Sequence, residues 1–140
     1  MPNTIKIKGD GVTEEATASA IFSPGHLVAL DSSGEVAKHA IAADLAERLF
    51  ATEDALQGST VDTAYAATDL ASLWLPFPGS TVRARLPAAA AAVVKGDFLA
   101  SDGGGCLIVT TTSTEAIAVA VEAVDNSAGA TEVFCNARVL

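Results

Sequence analysis

Four stretches of this chain alternate apolar and other side chains with a period of two. Ile5 and Ile7 alternate with Lys6 and Lys8, and Val82, Ala84 and Leu86 with Thr81, Arg83 and Arg85. Ile117, Val119 and Val121 alternate with Ala118, Ala120 and Glu122. Val133, Cys135, Ala137 and Val139 alternate with Glu132, Phe134, Asn136 and Arg138. A period of two is the repeat of a β-strand, whose successive side chains point to opposite faces. Turn residues punctuate the pieces: Pro24-Gly25, Asp31 to Gly34, Pro78-Gly79, Gly96-Asp97, Asp102 to Gly105 and Asp125 to Gly129. Short strands with frequent turns predict a mainly β fold, a small β-sandwich or barrel-like domain built of hairpins. At 140 residues the chain has the size of one domain and can bury a sizeable core.

Residues 1–20 are polar, rich in threonine and broken by Gly9 and Gly11. They read as an extended N-terminal arm leading into a single β-rich domain over residues 21–140. Such an arm can add a strand to the sheet edge of another subunit, with Ile5 and Ile7 setting register and Lys6 and Lys8 on the opposite face. The alternative is an arm paired within its own domain.

Residues 41–57 resist a strand assignment. Ile41, Leu45 and Leu49 recur at helical spacing among good helix formers, yet Arg48 to Ala51 also reads as a strand followed by a turn. Elsewhere the chain echoes itself: residues 25–36 align with residues 96–107 at an offset of 71, matching Gly25 with Gly96, Asp31 with Asp102 and Gly34 with Gly105. Each copy reads as a turn, a short strand, a tight Asp-x-x-Gly turn and a returning strand.

Several function classes are disfavoured by charge. The net charge is −9, and residues 10–79 alone carry eleven carboxylates against Lys38 and Arg48. Phosphate backbones and anionic membranes would repel such a surface, so neither nucleic acid nor membrane is expected as a partner. No apolar run approaches the roughly 20 residues that span a bilayer, and the N-terminus lacks the apolar core of an export signal.

The residues that usually carry chemistry are scattered. Cys106 and Cys135 have neither metal-site nor redox spacing; they read as buried small hydrophobes, with a disulfide as the alternative. His26 and His39 have no second ligand at metal spacing and read as turn or surface residues. The glycines at 103–105 join two strand-like runs, so they form a hairpin turn rather than a phosphate loop. Asp31 and Asp102 read as turn formers, and the adjacent pairs Glu14-Glu15 and Glu53-Asp54 would point to opposite faces of a strand. No Gly-x-Ser-x-Gly elbow occurs. The expectation is a protein with no catalytic residues, no metal and no cofactor.

What the chain holds in surplus is apolar surface. Half of its residues are hydrophobic and its mean hydropathy is +0.39, although aromatics make up only 5%. Between Leu73 and Pro78 large side chains crowd a proline-rich hairpin. Alternation sets Leu73, Leu75 and Phe77 on one side and Trp74 and Pro76 on the other. If the first set is core, Trp74 faces outward as an interface residue; otherwise Trp74 completes the core. Ile5, Ile7, Trp74 and Phe77 are therefore the candidate interface residues, and self-association, most simply as a homotrimer, is expected.

The ordered series of these pieces resembles a known family. It runs from Gly9 to Ser19, through Ser23 to Val28 and Asp31 to Gly34. It continues from Leu49 to Gly58, Asp62 to Asp69, the Pro78-Gly79 hairpin and Gly96 to Asp102, and closes from Ala118 to Val124 and Ala137 to Val139. In order and spacing it is similar to the small capsid decoration (cement) proteins of tailed bacteriophages, from about residue 9 to the end. The resemblance implies a non-enzymatic, largely β protein on the outer surface of an icosahedral head. Such proteins bridge neighbouring major capsid protein subunits, many as trimers. It favours strand and loop over helix at residues 41–57, and implies a virion component assembled in the host bacterial cytoplasm. Two other classes remain: a virion-surface β module binding host carbohydrate, for which Trp74 and Tyr65 are the aromatic candidates, and a small enzyme subunit lacking its catalytic partner.

Overall fold

The computed structural model describes residues 4–44 and 46–140. Within these described residues eleven strands form two antiparallel sheets. In chain order they are β1 (Lys6–Lys8), β2 (Gly11–Thr17), β3 (Leu27–Leu30), β4 (Val36–Lys38), β5 (Leu49–Ala51), β6 (Leu70–Pro76), β7 (Thr81–Leu86), β8 (Phe98–Ser101), β9 (Leu107–Val109), β10 (Ala118–Ala120) and β11 (Val133–Val139). One sheet has the order β1-β7-β11-β10-β8-β9 and the other β2-β6-β5-β3-β4. The mainly β expectation holds, as two curled sheets rather than a closed barrel. The six-stranded sheet bends until β9 approaches β7. The edges of the five-stranded sheet meet at one bridge, Ala18 to Val36.

Two hydrophobic cores result. The larger is shared by both sheets. Leu27, Phe50 and Trp74 of the five-stranded sheet pack with Val82, Ala84, Leu86, Leu99, Ala118, Cys135, Ala137 and Val139 of the six-stranded one. The smaller lies on the opposite face of the five-stranded sheet, where Val28, Val36, Leu49, Ala71 and Leu73 meet Ala18, Phe22 and Tyr65 from the connecting loops. Phe22 and Tyr65 pair by a β-bridge and bring their rings within 5.5 Å, sealing that second face.

A sheet covered on both faces loses the in/out alternation of a half-exposed one. This explains residues 41–57. Leu49, Phe50 and Ala51 are all buried, feeding the two cores in turn, so β5 is a continuous apolar run. A short 3-10 turn at Ala55–Gln57 follows, and Ile41 sits in an exposed turn instead of on a helix face. Leu45 of the helical spacing lies outside the described residues. It also settles Trp74: Leu73 and Trp74 are both buried because each face has a core to enter, so the outward Trp74 is corrected.

The free N-terminal arm expected over residues 1–20 is also corrected where it is described; Met1, Pro2 and Asn3 lie outside the described residues. Here β1 pairs with β7 and β2 pairs with β6 along its whole length. Ile5 is fully buried, its carbonyl accepts the Arg83 N–H at 2.9 Å, and its own N–H donates to Glu53 Oε2 at 3.1 Å. Gly9 carries the chain from one sheet to the other with φ +97°, packed so closely on Ser80 that a Cβ there would clash.

Candidate functional site

The two histidines read from sequence as turn or surface residues are buried, and each joins the two sheets. His39, just after β4, places Nδ1 2.7 Å from Oγ of Ser101, the last residue of β8. His26, just before β3, reaches Glu132, which leads into β11 in the other sheet. Both imidazoles hold opposite sheets in register across the large core.

Around His26 the contacts form a compact polar cluster. The Ser23 N–H donates to His26 Nδ1 at 2.9 Å, which fixes the proton of the neutral ring on Nε2. His26 Nε2–H then donates to Glu132 Oε1 at 2.9 Å. The Cys106 thiol donates to Glu132 Oε2 at 3.4 Å, and Arg85 Nη1 approaches Oε1 at 3.4 Å. Arg85 also donates from Nε to Pro24 O at 2.7 Å and from Nη2 to Val61 O at 3.0 Å, while its guanidinium lies 4.5 Å from the centroid of the Phe134 ring. Sequence spacing could not show this constellation, because its members come from four separate segments. The one local signal is that His26 opens an apolar run.

His26, Cys106 and Glu132 bring donor atoms within 4.8 Å of one another, close enough in principle for a metal ion. The ring, however, presents a proton and not a lone pair toward that space, because Nδ1 is already an acceptor. Metal-binding histidines show the reverse arrangement, with the second nitrogen donating to an acceptor. Burial lowers the His26 pKa, with Lys38 and Arg85 adding to it, against the pull of Glu132. Burial raises the Cys106 pKa far above that of a free thiol, helped by Glu132 and Asp102. A neutral imidazole beside a protonated thiol is not an activated nucleophile. The geometry makes a hydrogen-bonded staple. Cys135 is likewise buried, free and pushed up to about 12 by burial and Glu122.

The four candidate interface residues separate. Ile5 and Trp74 belong to the large core, and Ile7 is half-buried on β1. Phe77 is 50% exposed beyond the end of β6. Alternation sets it on the same face as Leu75 and the cross-strand partner Val12, itself exposed. The aromatic residues considered for carbohydrate are both buried: Trp74 lies under Lys6, and Tyr65 donates its hydroxyl to Thr52 O at 2.6 Å. A cleft of about 360 Å³ lies beside Tyr65, lined by Glu15, Asp54, Asp69, Ser72 and Leu70.

The echoed segments prove to be β3–β4 and β8–β9, the edge hairpins of the two sheets, closed by the same turn. Asp31 Oδ1 accepts from Ser33 and Glu35 N–H at 2.8 and 3.1 Å; Asp102 Oδ1 accepts from Gly104 and Cys106 N–H at 2.7 and 3.0 Å. The hairpins touch each other, Leu27 N–H donating to Gly105 O at 2.7 Å.

No protein-family model matches this chain. No curated protein sequence matches it either. Among solved structures it is similar to the N base of the head fiber gp8.5 of bacteriophage phi29, with a TM-score of 0.62 and 13% identity. The likeness covers 94% of this chain and 95% of that one, so the two share a fold over nearly their whole lengths.

Proposed function

We propose that this chain is a structural protein of a tailed-phage virion, a decoration or cement protein that binds the outer surface of the head and bridges major capsid protein subunits. The observation that carries this reading is the fold shared almost end to end with the base of a phage head fiber. The order of turn and strand motifs points the same way, as does a polar cluster arranged to hold sheets together and not to react. On this reading the protein is not an enzyme, needs no cofactor and acts as a homo-oligomer, most simply a trimer. Several weak contacts on one symmetric assembly then act together. The test is to mix the purified chain with expanded, undecorated heads of a phage whose genome carries this coding sequence. Saturable co-sedimentation, with heads that survive heating or chelation better than bare ones, is the expected result. Heads that retain none of the protein would sink the proposal.

A further inference from the structure

We propose that the open edge of β2 is a docking site for an extended, basic segment of another protein, which adds to the five-stranded sheet as a further strand. That the partner is the shell subunit rests on the function proposed above; the edge and its preference for a basic strand do not.

The four sheet edges are unlike one another. β1, β4 and β9 are three residues each; β1 carries two lysines and shifts register against β7, and Ser19 N–H already bonds Val36 O on β4. Short edges, lysines and irregularities are the usual defences against unwanted pairing. β2 has none of them. It is seven residues long, contains no proline or lysine, and stays in unbroken register with β6 from Gly11↔Pro76 to Thr17↔Leu70.

Its hydrogen-bonding phase is set at both ends. Phe77 N–H donates to Asp10 O at 2.9 Å and Ala18 N–H donates to Asp69 O at 2.8 Å. Even-numbered residues therefore bond to β6, and the N–H and C=O groups of Thr13, Glu15 and Thr17 point away from the sheet. Among the described residues no backbone hydrogen bond takes these groups at Thr13 and Glu15, whereas the Thr17 end of the strand is met by β4 at the Ala18–Val36 bridge. The side chains from 12 to 15 are exposed on both faces, and across them reaches the flexible Lys6, whose Nζ donates to Thr13 Oγ1 at 3.1 Å.

Charge selects the occupant. Glu14 and Glu15 stand in the middle of the strand, and Glu15 joins Asp54 and Asp69 along the acidic cleft. Two β2 strands paired antiparallel about this centre would set carboxylates opposite one another, which disfavours a second copy. A strand bearing lysine or arginine would instead place cations across from Glu14 and Glu15, with one side chain able to enter the cleft, while the backbone supplies the ladder.

The test uses the full chain and a synthetic extended peptide of about ten residues in which lysine alternates with threonine and valine. Its control carries glutamate for lysine. The readout is amide hydrogen exchange by NMR. The lysine peptide is expected to slow exchange at Thr13 and Glu15 by about tenfold or more, and the glutamate peptide to leave them unchanged. Glu15→Pro, which removes an outward N–H without touching a β6 bond, abolishes the slowing. Glu14→Lys with Glu15→Lys abolishes it too, and serves if the proline variant does not fold. Equal effects of the two peptides, slowing that maps elsewhere, or no slowing at about millimolar peptide overturns the proposal. Heads that retain the double lysine variant as well as the wild type also overturn it while leaving the proposed function standing. Heads that retain neither overturn the function, and the peptide result then decides the edge alone.

Discussion

His26 and Glu132 stand 106 positions apart in the chain and meet at 2.9 Å, one entering the five-stranded sheet and the other the six-stranded sheet. The contact ties stability to pH. Burial holds the His26 pKa below its ordinary 6.5, so at neutral pH the ring is uncharged. For Glu132 burial acts to raise the pKa, but a charged His26, the hydrogen bonds from Cys106 and His26, and Arg85 outweigh it and hold it below 4.5.

Acid is therefore expected to destabilise the fold in two stages. Between pH 6.5 and the lowered His26 value the unfolded chain binds the proton and the folded chain does not, so stability declines as pH falls. Below 4.5 the stabilisation from ionised Glu132 is lost as pH drops through its folded value. Thermal melts from pH 8 to 4 should fall monotonically on the acid side. His26→Gln should melt lower at pH 8, by about 1–3 kcal/mol for the broken network, and show a flatter decline below pH 6.5. A variant with the slope of the wild type would show that the titration lies elsewhere.

The thiols give a second check. Cys106 and Cys135 are buried, free and strongly disfavoured as thiolates. A thiol-specific disulfide reagent at pH 8 should label neither in the folded protein and both in denaturant. Rapid stoichiometric labelling of the native chain would contradict the staple geometry around Glu132.

The paired hairpins show what was legible in the sequence. The Asp-x-x-Gly turns could be read because every partner lies within four residues, and both close as expected with Gly34 and Gly105 at φ 78° and 86°. Asp31→Ala and Asp102→Ala should each cost about 0.5–1.5 kcal/mol. Asp102→Ala should cost more, because its turn also holds Cys106 and sets Gly105 against Lys38 and Leu27. Urea melts of the two variants decide it. The His26 cluster was not legible, since its contacts depend on which loops the two sheets bring together. Trp74 was ambiguous because alternation cannot say that both faces of a sheet are covered.

The N-terminal strand is expected to be structural. Ile5 contributes to the large core and β1 closes one edge of the six-stranded sheet. Ile5→Ala should lose about 2–5 kcal/mol, and a chain lacking residues 1–8 should melt well below the full-length protein. An unchanged melting temperature in the truncated chain would restore the arm as a separate clamp.

Phe77 and Trp74 should divide the two roles that sequence alternation left open. Trp74 is 3% exposed and packs in the large core, so Trp74→Ala should destabilise the fold by about 3–5 kcal/mol, whatever the protein binds. Phe77 is half exposed, beside Val12 and Leu75, where few atoms of its own chain would miss it. Phe77→Ser should change stability by no more than about 0.5 kcal/mol. If this patch meets a sister subunit or the shell, Phe77→Ser should still weaken trimer formation or retention on heads, because exposed aromatics in such contacts carry a large share of the binding energy. Sedimentation velocity on the purified variant separates self-association from shell binding. A folded Phe77→Ser protein that assembles and binds heads like the wild type would remove this patch from the interface and leave the β2 edge as the surface to examine.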